Sequence, residues 1–477
     1  MNWLPLRKLG VSLLHNLLPE EVVEMVKPVL VIGGGIAGIQ ASLDLAEQNI
    51  PVYLVDKSPS IGGKMAQLDK TFPTLDCASC ILTPKMSAVL RNKNIKLIMY
   101  SEVQEVKGRA GEFKVKILKK PTYVDWDKCT GCGSCVEKCP YKAPDEFNLG
   151  LTTRKAIYIL FPQAVPRKAV IDAEHCVRLN PPPNLRERAK GRPLCGVCSM
   201  VCPAKAIDYD MKPEVIELEV AAIIVATGME LYDARNIPEY GYGKYDNVYT
   251  HLEFERLVSA TGPTRGEIIR RSDKKYPKRI AWIQCVGSRD VRFNHYCSAF
   301  CCMAATKQAI LAKEHMPEVD CTIYYMDIRA FGKGFNEFVE RAKEEFGIKY
   351  IRGRVVRIDE DPDTKNLILT YEDTSTSYLK KDEYDMVVLA VAIRPNRVVP
   401  PLPLDLNEDG FIKLKDPYLD PVSTTVEGIF VAGVAAGAKD IPDSVTEASA
   451  AAARAALIAK GHLEEVVSLA DGGGLDG

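Results

Sequence analysis

Cys129, Cys132, Cys135 and Cys139 stand at C-x2-C-x2-C-x3-C spacing, and Pro140 closes the run. A second set, Cys195, Cys198 and Cys202, is closed in the same way by Pro203, with Cys176 upstream as its fourth member. A [4Fe–4S] cube needs four thiolates converging on a small volume, and short loops of small residues let neighbouring sulfurs curl round it. Zinc ribbons use separated C-x2-C pairs, whereas three cysteines here follow one another at x2 spacing. A chain built this way moves single electrons.

In two-cluster ferredoxins the last cysteine of each run ligates the other cube. The expected sets are therefore Cys129, Cys132, Cys135 and Cys202 for one, and Cys176, Cys195, Cys198 and Cys139 for the other. The 18 residues between Cys176 and Cys195 include Pro181 to Pro183, Arg186, Arg188 and Arg192, and read as a loop inserted between two ligands. Further along, Cys285, Cys297, Cys301 and Cys302 lie close in sequence, two of them adjacent. Four buried or reactive thiols would be the plain reading. A third [4Fe–4S] cluster is the better one, because these cysteines stand where a nucleotide site has been erased. Cys77 and Cys80 form a CxxC, read as a redox pair or as ligands contributed to a cluster. Cys321 alternates within an apolar strand and belongs to the core.

These side chains need a scaffold, and it opens at Pro28. The apolar run to Ile32 reads as a buried parallel strand, followed by Gly33-Gly-Gly35-Ile-Ala-Gly38 and a helix over Ile39 to Gln48. A second strand, Val52 to Val55, ends in Asp56 with Lys57 beside it. Strand, glycine turn, helix, strand and acid make up the dinucleotide fingerprint. Gly33 permits the tight turn, Gly35 admits the pyrophosphate, Gly38 allows close helix packing, and Asp56 takes the ribose hydroxyls. Three later features favour FAD: Gly62-Gly63-Lys64, the strand from Ala221 ending in Thr227-Gly228, and Gly428 to Gly433 before an alanine-rich helix from about Ser444. Together they resemble the thioredoxin reductase-like flavoproteins with two dinucleotide-binding domains, an α/β fold of Rossmann type. One departure is Val434, where that class carries an acid holding the flavin's ribityl chain.

The second domain of that class binds NAD(P)H. Here its opening strand, Lys278 to Ile283, runs into Gln284-Cys285-Val286-Gly287-Ser288 without the glycines a pyrophosphate requires. The fold is expected and nicotinamide binding is not.

Longer motifs carry a closer resemblance. Thr71 to Lys85 (TFPTLDCASCILTPK), Gln284 to Asp290, Tyr296 to Cys302 and Lys439 to Ser444 are similar to the A subunit of heterodisulfide reductase, over residues 28 to about 460. The resemblance implies FAD, the inserted ferredoxin, and an atypical four-cysteine cluster beside the flavin, matching Cys285, Cys297, Cys301 and Cys302. It places Lys307 close to flavin N5, where an ammonium favours anionic flavin. It implies flavin-based electron bifurcation or confurcation between a two-electron donor, ferredoxin and a disulfide or similar acceptor. Expected partners are the B, C and hydrogenase- or dehydrogenase-linked subunits and ferredoxin, with a homodimer inside the larger complex. Methanogen versions add an N-terminal domain and a C-terminal ferredoxin domain, so an outlet to ferredoxin is expected through the insert or another subunit. Relatives in sulfur oxidation, sulfate reduction and aromatic-ring reduction complexes stand as non-bifurcating counterparts.

The 477 residues suffice for about three domains. A net charge of −1 argues against nucleic acid, and no stretch is apolar enough to span a bilayer. Iron–sulfur thiolates suit a reducing compartment, hence the cytoplasm. The expected division is a helical extension over 1–27, flavin domain parts at 28–120, 214–278 and 396–477, a ferredoxin at 121–213 and the degenerate domain at 279–395. Arg265 to Arg271 and Lys274 to Arg279 read as solvated faces or subunit contacts. Phe331 to Phe338 reads as a docking loop or a turn before a helix. The competing function is an NAD(P)H-linked oxidoreductase resembling the small subunit of glutamate synthase.

Overall fold

The computed structural model describes residues 26–189, 194–396 and 402–462. The N-terminal extension up to residue 25, Arg192 and the glycine-rich tail lie outside them. Val29–Ile32 is buried at every position, as a parallel strand covered on both faces must be. It pairs in parallel with Val52–Asp56 and Ala222–Val225, and Ile95–Met99 and Ile429–Val431 extend the sheet. Antiparallel strands Asp420–Thr424 and Leu414–Asp416 finish one edge. Helices Ile36–Glu47 and Ile441–Ala459 pack on each other and on this sheet, with Ala37, Ala41, Ala448, Ala451, Ala452 and Ala455 buried there. Both helices begin about three residues before the starts expected at Ile39 and Ser444. The second starts early because Asp440 caps it, accepting Asp443 N–H at 3.0 Å, with Pro442 in the first turn.

A second sheet runs Val248–Thr250, Met386–Val391, Arg279–Val286, Asp320–Tyr325, Lys349–Glu360, Leu367–Asp373, Tyr378–Tyr384. The first five are parallel and the last two turn antiparallel. The chain crosses between the sheets on two strands that pair with each other, Met229–Leu231 and Ile393–Pro395. Everything between those crossings belongs to the second fold. That corrects the boundary expected at residue 278: Val248–Thr250 pairs with Met386–Val391, and helix His251–Val258 packs on helix Cys301–His315. Cys321 is 1% exposed within this fold's core.

Residues 120–213 depart from a three-stranded antiparallel sheet, Ser101–Lys107, Phe113–Lys119 and Glu214–Val220. Lys119 and Glu214 are paired neighbours, so this stretch leaves and returns on one rung. Short helices Ser134–Lys138 and Val197–Met200 and two small hairpins enclose a core that includes Val124, Ile157, Ile171 and several cysteines. Phe147 and Phe161, stacked at 4.7 Å, leave that core and join the first fold's. The segment after Cys176 is not loop throughout: Pro183–Ala189 is helical, with proline in the first turn, where its missing N–H has no helical partner to lose.

A second correction concerns the basic run. Arg270 is 5% exposed, ion-paired with Asp385 at 3.3 Å and bonded to Thr364 O at 2.7 Å. It braces the hairpin at Asp361–Lys365 instead of facing solvent. Phe335 and Phe338 are buried on helix Phe335–Glu344, and Phe331 before it is exposed. Among the described residues no helix is long and apolar enough to cross a membrane.

Candidate functional site

Inside the insert a cavity is lined by Cys129, Cys132, Cys135 and Cys202, three thiols of the first run and one of the second. Gly131, at φ +69°, lets the loop close, since a Cβ there would fall 2.2 Å from Arg167 O. Lys168 Nζ donates to the carbonyls of Trp126 and Cys129 at 2.5 Å each. Ala206 N–H donates to Cys202 Sγ at 3.3 Å. Burial pushes the Cys135 thiol up to about 11, and Cys129, Cys198 and Cys202 add to the shift. Burial also raises Cys198, opposed by the Tyr209 hydroxyl 2.9 Å away and reinforced by Cys176, Cys195 and Cys139. The cavity thus mixes the two runs, and Cys139 of the first run acts on Cys198 of the second. Among the described residues no three or more His, Cys, Asp or Glu side chains converge on one ion-sized point. The four thiols line one small cavity, and four thiolates round a small volume are the ligand set a [4Fe–4S] cube needs. A polynuclear cation would reverse the penalty that burial places on these thiolates.

In the first fold the glycines are required by contact. A Cβ on Gly33, at φ +110°, would meet Ala226 O at 2.2 Å, and one on Gly38 would meet Gly33 O at 1.8 Å. A Cβ on Gly35 would meet nothing within 4 Å. Open space therefore faces the start of helix Ile36–Glu47, where N–H groups and dipole favour a phosphate. Asp56 accepts N–H bonds from Gly34 at 2.5 Å and Ser58 at 2.7 Å. Burial raises its carboxyl; those two bonds and Lys57 oppose the rise. Gly62 N–H reaches Gly34 O at 2.7 Å and a Cβ on Gly63 would lie 2.8 Å from Gly35 Cα, so the two glycine turns abut. Lys64 beside them is lowered by burial and by Lys57. Lys57 Nζ bonds Asn396 Oδ1 at 3.4 Å, and Asn396 Nδ2 bonds Thr227 O at 3.2 Å, next to Gly228 at φ +70°. This cradle fits a dinucleotide.

Gly433, at φ +70°, closes the cradle against Ala37. Its N–H donates to Glu447 Oε2 at 3.0 Å, and Lys439 Nζ lies 2.6 Å from both Glu447 oxygens. Sequence reasoning misses both side chains, because Glu447 reaches this turn only through the course of helix Ile441–Ala459.

The matching turn of the second fold differs. Cys285 adopts φ +60° where the strand register shifts between Ile283 and Val286. A Cβ on Gly287 would strike the Tyr232 ring at 2.5 Å, so that ring occupies the space. Cys285, Cys301 and Cys302 interact directly. The contact with Cys301, with help from Arg289, lowers Cys285, whereas its two thiol neighbours and burial raise Cys301. Cys297 is half-buried, its Sγ taking the Ala299 N–H at 3.4 Å.

Lys307, 2% exposed, pairs with Glu255 at 2.7 Å and donates to Lys70 O at 2.7 Å. Glu255 also accepts from Gln308 Nε2 at 2.7 Å and from the Asp69 N–H at 3.2 Å. His251, one turn before Glu255, is buried, its Nδ1 has no hydrogen-bond partner, and burial lowers it to about 4. Lys70 pairs with Cys77 through an isolated bridge. Cys77 and Cys80 form a disulfide at the start of helix Ala78–Arg91, Cys77 Sγ capping the Cys80 N–H at 3.2 Å. Cys77 also lines a cavity with Leu82, Met86, Phe147 and Phe161.

Three family models match parts of the chain. Residues 31–91 match the NAD(P)-binding Rossmann-like domain, 122–145 the 4Fe-4S binding domain, and 300–452 the pyridine nucleotide-disulphide oxidoreductase family. The chain is 52% identical to the iron-sulfur A subunit of CoB--CoM heterodisulfide reductase from Methanocaldococcus jannaschii, over 92% of this chain and 65% of that one. It is 53% identical to the second such A subunit of Methanopyrus kandleri, over 94% and 67%. With an A-subunit-like heterodisulfide reductase protein of Archaeoglobus profundus it shares 47%, over 95% and 70%. The chain thus spans about two thirds of the length of these relatives. In fold it is similar to thioredoxin reductase from T. acidophilum, with TM-score 0.50 and 16% identity, over 92% of this chain and 99% of that one. Lactococcus lactis thioredoxin reductase gives 0.50 and 15%, over 91% and 99%.

Proposed function

The chain belongs to the family of heterodisulfide reductase A subunits, and on that premise we propose that it is a flavin and iron–sulfur oxidoreductase module passing electrons within a multi-subunit complex. The cavity that brings Cys202 of the second run to Cys129, Cys132 and Cys135 of the first supports this reading most strongly. Bound FAD would supply the exchange between two-electron and one-electron transfer, and [4Fe–4S] cubes accept electrons singly.

The chain's own residues bind, orient and shield. Gly33, Gly35 and Gly38 clear room for the diphosphate at a helix N-terminus, and Asp56 accepts the ribose hydroxyls. Lys57, Gly63, Lys64, Thr227, Gly228 and Gly433 complete the rim. Lys307 Nζ is buried against Glu255 and so fixes an ion pair at the seam between the folds. Cys285, Cys297, Cys301 and Cys302 would hold a third cube, and Cys77 and Cys80 would serve as a redox pair. Nicotinamide binding in the second fold lacks such support, since the Tyr232 ring packs against Gly287 at the turn where a pyrophosphate would need open space.

Within the whole complex, electrons from a two-electron donor would divide between ferredoxin and a disulfide or similar acceptor, by bifurcation or its reverse. The B, C and hydrogenase- or dehydrogenase-linked subunits would be partners, a homodimer would sit within the assembly, and the location would be cytoplasmic. Iron, acid-labile sulfide and flavin content of anaerobically purified protein tests the cofactor set, with Cys301→Ser and Cys302→Ser alongside. About twelve iron per FAD, falling by about four in the variants with flavin retained, is expected for three cubes. About eight iron, unchanged in the variants, would confine metal to the insert.

A further inference from the structure

The first fold departs from the thioredoxin reductase-like pattern at Val434, where an acid holding the ribityl chain is missing. The polyhydroxylated chain between diphosphate and ring carries donors that need acceptors once water is excluded. An acid does stand at this turn, delivered from elsewhere. Glu447 Oε2 accepts the Gly433 N–H at 3.0 Å, and Lys439 Nζ holds both carboxylate oxygens at 2.6 Å. The pair is largely shielded, with side-chain exposures of 12% for Lys439 and 20% for Glu447. The turn it occupies abuts Ala37, in the first turn of the helix that faces the diphosphate space.

We propose that Glu447, held by Lys439, is a positioning residue for FAD that takes over the role vacated at position 434, its carboxylate accepting hydroxyls of the ribityl chain. This rests on the reading that the first fold binds FAD. A carboxylate oxygen has two lone pairs, so one N–H and one ammonium leave acceptor capacity for hydroxyl donors. Ionised acceptors make the stronger hydrogen bonds. Lys439 keeps the site near neutrality, so the carboxylate does not repel the neighbouring diphosphate. The proposal predicts which half of the ligand feels Glu447: the ribityl-bearing half, not the adenosine diphosphate half.

The test is calorimetric titration of flavin-stripped protein, clusters retained, with FAD and separately with ADP. Glu447→Ala is expected to weaken FAD about tenfold, or about 1.4 kcal/mol, and to leave ADP within about twofold. Glu447→Gln keeps an acceptor for Gly433 N–H but loses the ion pair. It should weaken FAD in the same direction, again sparing ADP, and it serves if the alanine variant does not fold. Adding Val434→Asp to Glu447→Ala should recover FAD affinity. Equal losses for FAD and ADP would make Glu447 a turn support only, and an unchanged FAD affinity would also overturn the proposal. Wild-type protein that binds ADP but not FAD would instead sink the underlying FAD reading.

Discussion

Two sheets with parallel centres flank the Met229–Leu231 and Ile393–Pro395 crossing, and their first turns hold opposite contents. In the first, Gly33 takes φ +110° and Gly35 faces open space. In the second, Cys285 takes φ +60° and the Tyr232 ring fills the space above Gly287. Both strands end in left-handed backbone at the switch point where α/β folds place ligands. A turn stripped of side chains admits an anion against backbone N–H groups. The same kind of turn bearing thiols offers ligands for a cation. The non-glycine left-handed residue carries strain of about 1–3 kcal/mol, which the surrounding strands must overcome.

The contrast breaks most visibly at Gly38. A Cβ there lies 1.8 Å from Gly33 O, so Gly38→Ala should cost about 3 kcal/mol or more and abolish flavin retention, read by thermal unfolding and bound-flavin absorbance. Gly287→Ala in the second fold should also destabilise, by displacing Tyr232, but leave flavin content intact; losing flavin there would erase the division of labour.

The seam between the folds comes next. Lys307→Met leaves Glu255 buried without its cation, costing about 3 kcal/mol, and Lys307→Met with Glu255→Gln should recover most of it in denaturant titrations.

His251 sits at the same seam and gives a pH test. Its folded pKa is depressed to about 4 by burial, so the unfolded chain takes the proton first as pH falls. The stability it contributes is complete above the unfolded value near 6.5 and is lost between there and about 4, by about 3 kcal/mol. His251→Asn should flatten that part of the stability–pH curve; an unaltered curve would mean the imidazole is solvated.

The smallest effect sharpens the contrast from the other side. Cys285→Gly should stabilise the cluster-free protein by about 1 kcal/mol, through relief of left-handed strain, while lowering the iron of the loaded protein. A variant that gained stability and kept its iron would remove Cys285 from the ligand set.

Features carried by adjacent residues are legible in the sequence. The glycine turn and Asp56 at its strand end each follow from spacing and period alone. What stays hidden depends on remote partners. Val248–Thr250 cannot be assigned to the second fold from its own residues, because its partner strand Met386–Val391 lies far along the chain. Arg270 looks solvated within a basic run until Asp385 and Thr364 are brought beside it. Pro181 to Pro183 suggest loop, yet proline opens a helix as readily as it ends one. Glu447 reads as one acid on an alanine-rich helix, and only tertiary packing returns it to Gly433.

The shared rung at Lys119 and Glu214 has a consequence for how such a molecule is assembled over evolutionary time. A two-residue turn could join those strands directly, as in an ordinary hairpin, so the host sheet needs no redesign to gain or lose the whole stretch. Phe147, Phe161 and Ala164 sit in the host's core, and Val165 is hydrogen-bonded to Ser60 and Ile61, so any excision would have to refill that contact. The insert is therefore a transplantable part, attached at one hairpin and fitted to its host along one packed face.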